Sequence, residues 1–588
     1  MYTPNNSHLQ PALISAVSEL PIKQQKRLQE SWADMFYREF FCRINEEIFS
    51  VLYSSVGSRP NFPINILIGL EALKAGKGWS DEQLIDEYNY NLQVRFALGV
   101  DRLGDQEFDI RTLYNFRQRL SQYNVEKGIN LLEKAFEGIV DEQIKSLKVK
   151  TEMQRMDSTQ IASNIVSSSR LQLLVESLHR LERILKDGDK ERLADKFEPY
   201  TRDSAGHYSY RVKGKEAVRE HMQAIGKTIH GLLSELREKY REAAAYQVME
   251  RLFAENFTIE ESLLRVKENT ELSSSSLQSL DDLEASYRVK GTKHYKGYVA
   301  NITETCDPEN DFQLITKVQV APNNVEDAQL MVEAIPNLKE RTKIATLYTD
   351  GGFGGPDADH VTAENDIEQI QTGIRGRIPD KSKLNLVDFE INQSDHGKPT
   401  KITCPQGQVV AVNRNNKKNG FVAHFATEIC EQCPLVKKCP AKPGKRDPRW
   451  HLRFSEKQMH VSQRRHRSMI HKIEARNLRA AVEASVRQVK HPFPASKLPV
   501  RGLFRMGCMI IGSAMMSNIR RIQRFRVTKL NEERQQKEAI IGLECTQGTF
   551  GSSFLILQKR LIEFISRTLA PFRSEERRVG KECRSRWS

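Results

Sequence analysis

Apolar residues recur at intervals of three and four over most of the chain, and this pattern predicts helices. In residues 65–75 the periodic positions are Ile66, Leu67, Leu70 and Leu73, and Gly76-Lys77-Gly78 ends the run. Ser80 then caps a second helix, with Gln83 three residues on as its capping-box partner. A third helix is expected from about Thr112, with Arg111, Arg117 and Arg119 beside Tyr114 and Phe116. Further on, Leu171, Leu174, Leu178, Leu181 and Leu185 form a coiled-coil-like seam that Ile225, Ile229, Leu232, Leu236 and Tyr240 continue. Residues 476–490 (RNLRAAVEASVRQVK) form an amphipathic helix. Ala475, Leu478, Val482, Val486 and Val489 make its apolar stripe, and Arg476, Arg479, Glu483, Arg487 and Lys490 its polar face.

Between these helices the period shortens. Strands are expected at residues 151–156, 294–303, 312–320 and 343–349, with a helix over 325–334. The first strand is expected to end at Asp157-Ser158-Thr159 and the last at Asp350, before Gly351-Gly352-Phe353-Gly354-Gly355. Glycines there let the backbone turn sharply and approach a ligand closely. Strand ends hold carboxylates more firmly than loops do. Phosphodiester cleavage by two divalent ions about 3.5–4 Å apart requires a few carboxylates held in that way, and hard ions such as Mg²⁺ select oxygen ligands. On the helix of residues 476–490, Glu483 stands inside a ladder of cations. The same pattern also suits a solvated face with i,i+4 pairs among Arg479, Glu483 and Arg487.

Composition narrows the picture. With 588 residues the chain exceeds one core, and its net charge of +14 points to a polyanionic partner, most simply nucleic acid. The most apolar stretch, residues 507–519, is too short to span a bilayer and reads as a buried helix. No signal peptide is seen, and nine cysteines in a chain of this length suit a reducing cytosol. The basic helix after Thr112 suits either a helix-turn-helix-like DNA reader or an ordinary helical bundle with a solvated basic face. Cys404, Cys430, Cys433 and Cys439 make two turn-like knuckles suited to one structural Zn²⁺, with His424, His451 and His460 as substitute ligands and reduced, unliganded thiols as the alternative. Lys437, Lys438, Lys442, Lys445, Arg446 and Arg449 surround this cluster. Arg476, Arg479, Arg487, Lys490 and Arg501 are candidate phosphate contacts, with solvated surface the alternative for each.

RMDST at Asp157, LYTDGGFGG at Asp350 and RNLRAAVEASVRQVK at Glu483, in that order, resemble a bacterial insertion-sequence DDE transposase with a ribonuclease H-like catalytic domain. Residues 63–120 resemble the helical domain that precedes that core, and the likeness covers most of residues 60–525. It implies Asp157, Asp350 and Glu483 as ligands of Mg²⁺ or Mn²⁺. Asp357, Asp359 and Glu474 are competitors; Glu483 is preferred because Arg476 precedes it and Lys490 follows on the same face. The resemblance also implies DNA partners (transposon terminal inverted repeats and target DNA), a homodimer or higher oligomer on DNA, no membrane, and a cytoplasmic, nucleoid-associated location. The alternatives are a ribonuclease H-like nuclease that does not join strands and a non-catalytic, transposase-derived DNA-binding protein.

The expected fold is therefore α/β, with a ribonuclease H-like mixed sheet in residues 151–167 and 288–400 completed by helices in 456–530. To this are added an all-helical N-terminal, DNA-end-binding domain (1–150), a helical insertion (168–287), a Cys-rich insertion (401–455) and a helical extension (531–572). Residues 573–588, RSEERRVGKECRSRWS, resemble a translated sequencing adapter and are expected to add nothing to the fold.

Overall fold

The computed structural model describes residues 1–545 except 10–14, 55–56, 58, 101, 103, 108, 202–213, 262, 375, 377–378, 381, 395–396, 416–419, 445–446 and 472–477; of 415 and 539–545 it describes the backbone alone. Arg476, Glu474, Lys445, Arg446 and the adapter-like tail lie outside the described residues.

Alternation along the first strand sets the architecture. In β1 (Met153–Ile161) the side chains at 153, 155, 157 and 159 share one face and those at 154, 156 and 158 the other. The strand runs on past Asp157, which lies within it and not at its end, because antiparallel pairing with residues 298–305 continues as far as Ile161 opposite Tyr298. A short hairpin follows, β2 (Phe257–Glu260) with β3 (Leu263–Val266). Next come β4 (Ser286–Lys290), β5 (Lys293–Thr305), β6 (Ile315–Pro322), β7 (Thr346–Thr349) and β8 (Glu368–Gln371). The sheet order is β4-β5-β1-β7-β8, with β6 also on β5. β5 is antiparallel to β1, β4 and β6, whereas β7 and β8 continue parallel to β1.

Helices cover both faces. Met156 points into an apolar cluster with Met331, Ile335 and Leu338 from the helix Asp327–Arg341, which runs beyond the expected end and through Pro336. The opposite face meets residues 478–490. Here the expected single helix is interrupted by a turn at Ala481 and resumes as Val482–Lys490, with Val482 and Val489 buried.

The described residues among 1–147 are mainly helical, with short 3-10 turns, and Ser80 and Gln83 form the expected capping box. Their apolar cluster is continuous with β5, β6 and the start of the helix Leu503–Cys545. That helix crosses Ile64–Lys77 so closely that both contact points are glycine. A Cβ on Gly76 would stand 2.1 Å from Met516 Cγ, and one on Gly512 2.7 Å from Ala75 Cβ. In the expected basic helix (Ile110–Lys127), Arg117 pairs with Glu71 and Asp81, and Arg119 lies over the Tyr53 ring.

The described residues from 168 to 285 are mainly helices, with the β2–β3 hairpin. Leu174, Leu178, Ile225 and Ile229 of the expected seam are buried in one apolar cluster with Phe257. The cysteine-rich region is a second sheet of β9 (Glu390–Gln393), β10 (Pro399–Thr403), β11 (Val409–Asn415), β12 (Gly420–Phe425), β13 (Lys442–Pro443) and β14 (Trp450–Ser455) in the order β13-β14-β12-β11-β10-β9. Residues 1–522 form one compact unit. A second, Gln523–Ser588, carries the last turns of the Leu503–Cys545 helix, exposed from Val527 to Glu538. No described helix is long and apolar enough to cross a membrane.

One buried ionic knot ties the sheet to the helices on its face. Glu304 of β5 is fully buried and accepts from Arg155 Nε at 2.6 Å, Arg521 Nη1 at 2.7 Å and Ser485 Oγ at 2.5 Å. Arg155 also donates to the Leu478 carbonyl at 2.7 Å. Burial pushes the Glu304 carboxyl up, but the two guanidiniums and the hydroxyl outweigh it and hold it below the usual range. Glu304→Gln leaves two buried cations without a counter-charge and should cost about 3–5 kcal/mol at neutral pH by denaturant unfolding. A depressed carboxylate stabilises above its unfolded pKa and loses that effect as pH falls through its folded one. The gap between wild type and variant should therefore narrow as pH falls below the ordinary value of 4.5. In the insertion, Ile229→Ala should cost about 2–5 kcal/mol, and limited proteolysis should then cut within residues 168–287 before the sheet.

Candidate active site

Asp157, Asp350 and Glu483 arrive from three elements and meet around one guanidinium. Asp157 projects from β1, on the same face as Arg155. Asp350 follows β7, and its Oδ1 accepts from the Gly352 N–H at 2.6 Å, capping the turn Gly351–Phe353. Glu483 stands in the first turn of Val482–Lys490, where the helix N-terminus favours a carboxylate. Arg479 Nη2 lies 2.9 Å from Asp157 Oδ1 and 3.9 Å from Asp350 Oδ2, and its Nη1 lies 3.7 Å from Glu483 Oε1.

The electrostatics grade the three carboxylates. Asp157 is buried, Asp350 half-buried and Glu483 exposed. Desolvation raises the Asp157 pKa; Arg479 lowers it in part and the nearby Asp350 charge raises it again. The cluster thus carries more negative charge than its single arginine neutralises, and all its ligand atoms are hard oxygens. Such a donor set fits Mg²⁺ or Mn²⁺ and not a soft metal. Of the competitors, Asp357 is exposed, and Asp359 is paired with Arg464 Nη1 at 3.0 Å.

The expected phosphate contacts divide. Arg487 is exposed and has no ion-pair partner among the described residues. Lys490 instead donates to Thr159 Oγ1 and the Gln160 carbonyl, both at 3.1 Å, and so holds its helix to β1. Arg501 donates to the Asn164 carbonyl at 2.6 Å and pairs with Asp281 at 3.3 Å. Arg479 belongs to the carboxylate cluster.

Cys404, Cys430, Cys433 and Cys439 line one cavity of about 240 Å³ beside Phe425 and Leu435. Burial, then the neighbouring thiols, push Cys430 up to about 11. Among the described residues, the metal-ligating atoms that gather within 4.8 Å of one another belong to His424, Asp447 and His451; neither the four thiols nor the carboxylates of Asp157, Asp350 and Glu483 form such a group. The expected thiolate zinc site is therefore not supported by this geometry.

The sequence reading missed Arg155, Glu304, Ser485 and Arg521, which fix the position of the helix bearing Glu483. Two signals were present. Arg155 precedes Asp157 by two residues on one face, and Glu304 is a lone carboxylate near the end of β5, in the run Ile302-Thr303-Glu304-Thr305.

Two family models match the chain. A Transposase domain (DUF772) covers residues 25–119, within the helical N-terminal region. A Transposase DDE domain covers residues 403–523, including Arg479, Glu483 and the Leu503 helix as far as Gln523. No curated protein and no solved structure matches the chain. A transposase domain ahead of the sheet and a DDE domain carrying the glutamate of the carboxylate cluster together indicate an insertion-sequence DDE transposase.

Proposed function

We propose that this transposase cuts DNA at the ends of its element and joins the freed end to target DNA, using Asp157, Asp350 and Glu483. The observation that carries the reading is the convergence of these three carboxylates on Arg479, all within 4 Å of its guanidinium. In the first step water attacks the end phosphorus, the P–O3′ bond breaks, and a 3′ hydroxyl and a 5′ phosphate result. In the second, that hydroxyl attacks a target phosphodiester and the target's own 3′ oxygen leaves. Mg²⁺ or Mn²⁺ held by the three carboxylates would supply water activation and charge neutralisation for both steps.

The chain's own residues do the positioning. β1 and the Gly352 N–H orient the two aspartates, and the knot at Glu304 sets the helix that carries Glu483. Arg487, exposed one turn after Glu483, suits a phosphate contact. The reading of the sheet as ribonuclease H-like is supported by its order. Three antiparallel strands, β6, β5 and β1, are followed by β7 and β8 parallel to β1, with one aspartate on central β1 and one after β7.

Asp157→Ala, Asp350→Ala and Glu483→Ala should each reduce cleavage of inverted-repeat DNA by at least about a hundredfold, while gel shifts with the same DNA persist. Glu474→Ala should cut normally. Arg487→Ala should weaken binding and make its dependence on log salt shallower by about 0.9. With a second duplex present, wild type should yield a joined product. Cleavage without joining would reduce the protein to a nuclease, and normal cutting by all three carboxylate variants would overturn the assignment.

A further inference from the structure

The second sheet holds a cluster that the carboxylate chemistry does not use. Antiparallel pairing of β12 with β14 puts His424 directly opposite His451. Their rings meet edge-on with centroids 4.6 Å apart. Asp447, three residues ahead of β14, lies beside them, with Oδ2 3.8 Å from His424 Nδ1 and 3.9 Å from His451 Nε2.

These separations are too long for hydrogen bonds. Yet His424 Nδ1 and both ring nitrogens of His451 are buried and have no hydrogen-bond partner in the protein. The His451 side chain is only 10% exposed. Buried nitrogens left unmatched cost free energy unless something else satisfies them. Space is kept open for it: a Cβ on Gly444 would lie 2.4 Å from His451 Nε2, so any side chain at that position would fill the gap before the ring.

We propose that His424, Asp447 and His451 form a binding site for a divalent transition-metal ion of borderline softness, the class of Zn²⁺ and Co²⁺. Two imidazoles and one carboxylate are ligands such ions take, whereas Mg²⁺ prefers oxygen alone. Ligand atoms at about 2.0–2.2 Å from a common tetrahedral ion stand about 3.4 Å apart, so the two Asp447–histidine separations need to close by a few tenths of an ångström, and the ligand atoms of all three residues already lie within 4.8 Å of one another. Three protein ligands leave the fourth position to water. The ion would lock β12, β14 and the turn at Asp447 together, and it is separate from the four thiols. Its competitor is Arg449, whose Nη2 lies 2.7 Å from Asp447 Oδ2 on a side chain 54% exposed, free to swing away into water.

The test is a Co²⁺ titration of the full chain after chelator treatment, read by optical absorption. Wild type should show d–d bands without a thiolate-to-metal charge-transfer band. His451→Gln and Asp447→Asn should each lose that signal and about one equivalent of bound Co²⁺ relative to wild type, while Cys433→Ser keeps both. Arg449→Ala should bind severalfold tighter. Circular dichroism checks folding, and Asp447→Asn, at a half-buried position ahead of β14, carries the test if the buried His451 variant does not fold. Equal Co²⁺ uptake by wild type and Asp447→Asn would overturn the site, as would a signal lost in Cys433→Ser.

Discussion

Everything at the carboxylate cluster depends on a charge buried some residues away. Glu304 sits at zero exposure between Arg155 and Arg521. Taking three ionised groups out of water is tolerable only when each is matched and hydrogen-bonded, and here Ser485 completes the set. The arrangement links β1, β5, the Val482–Lys490 helix and the Leu503–Cys545 helix through one point. None of the four can shift against the others without stranding a charge. Such a knot gives specificity of placement more than net stability, which is what a site assembled from distant segments needs.

Placement matters because Asp157 and Glu483 are held by different elements, while Arg479, which meets both, follows the Leu478 carbonyl fixed by Arg155. The arginine lets the carboxylates sit together in the protein alone. It does so incompletely: burial still raises Asp157, and the neighbouring Asp350 charge adds to that. A cluster that retains surplus negative charge after internal pairing is suited to attract further positive charge. Arg487, exposed on the helix that carries Glu483, would counter part of the repulsion that such a cluster exerts on a phosphate backbone.

Local patterns made part of this legible in the sequence. Asp350 stood out because a strand gave way at once to a glycine-rich turn, and the Ser80–Gln83 capping box was readable from two residues. Glu483 was visible through the family resemblance and its place between Arg476 and Lys490 on one face, since its spacing from Arg479 and Arg487 suits a solvated face as well, and the turn at Ala481 was not visible, since Ala-Ala-Val has no helix-breaking feature. Two kinds of feature escaped. The strands of the β2–β3 hairpin, four residues each, are too short to display a period of two against a helical background. The Glu304 knot joins residues separated by 149 and 217 positions, and no window along the chain contains both partners. Lys490 and Arg501 read as free cations for the same reason: their acceptors, at Thr159, Gln160 and Asn164, are remote in sequence and close only after folding.

The central claim is that Asp157, Asp350 and Glu483 together hold the metal ions. Iron-mediated backbone cleavage tests this most directly. Fe²⁺ replaces Mg²⁺, ascorbate and peroxide generate hydroxyl radicals where the iron is bound, and the cut sites are mapped by mass spectrometry. The account predicts cuts close to residues 157, 350 and 483, suppressed together by excess Mg²⁺. Cuts that miss these three segments, or that Mg²⁺ does not suppress, would contradict it.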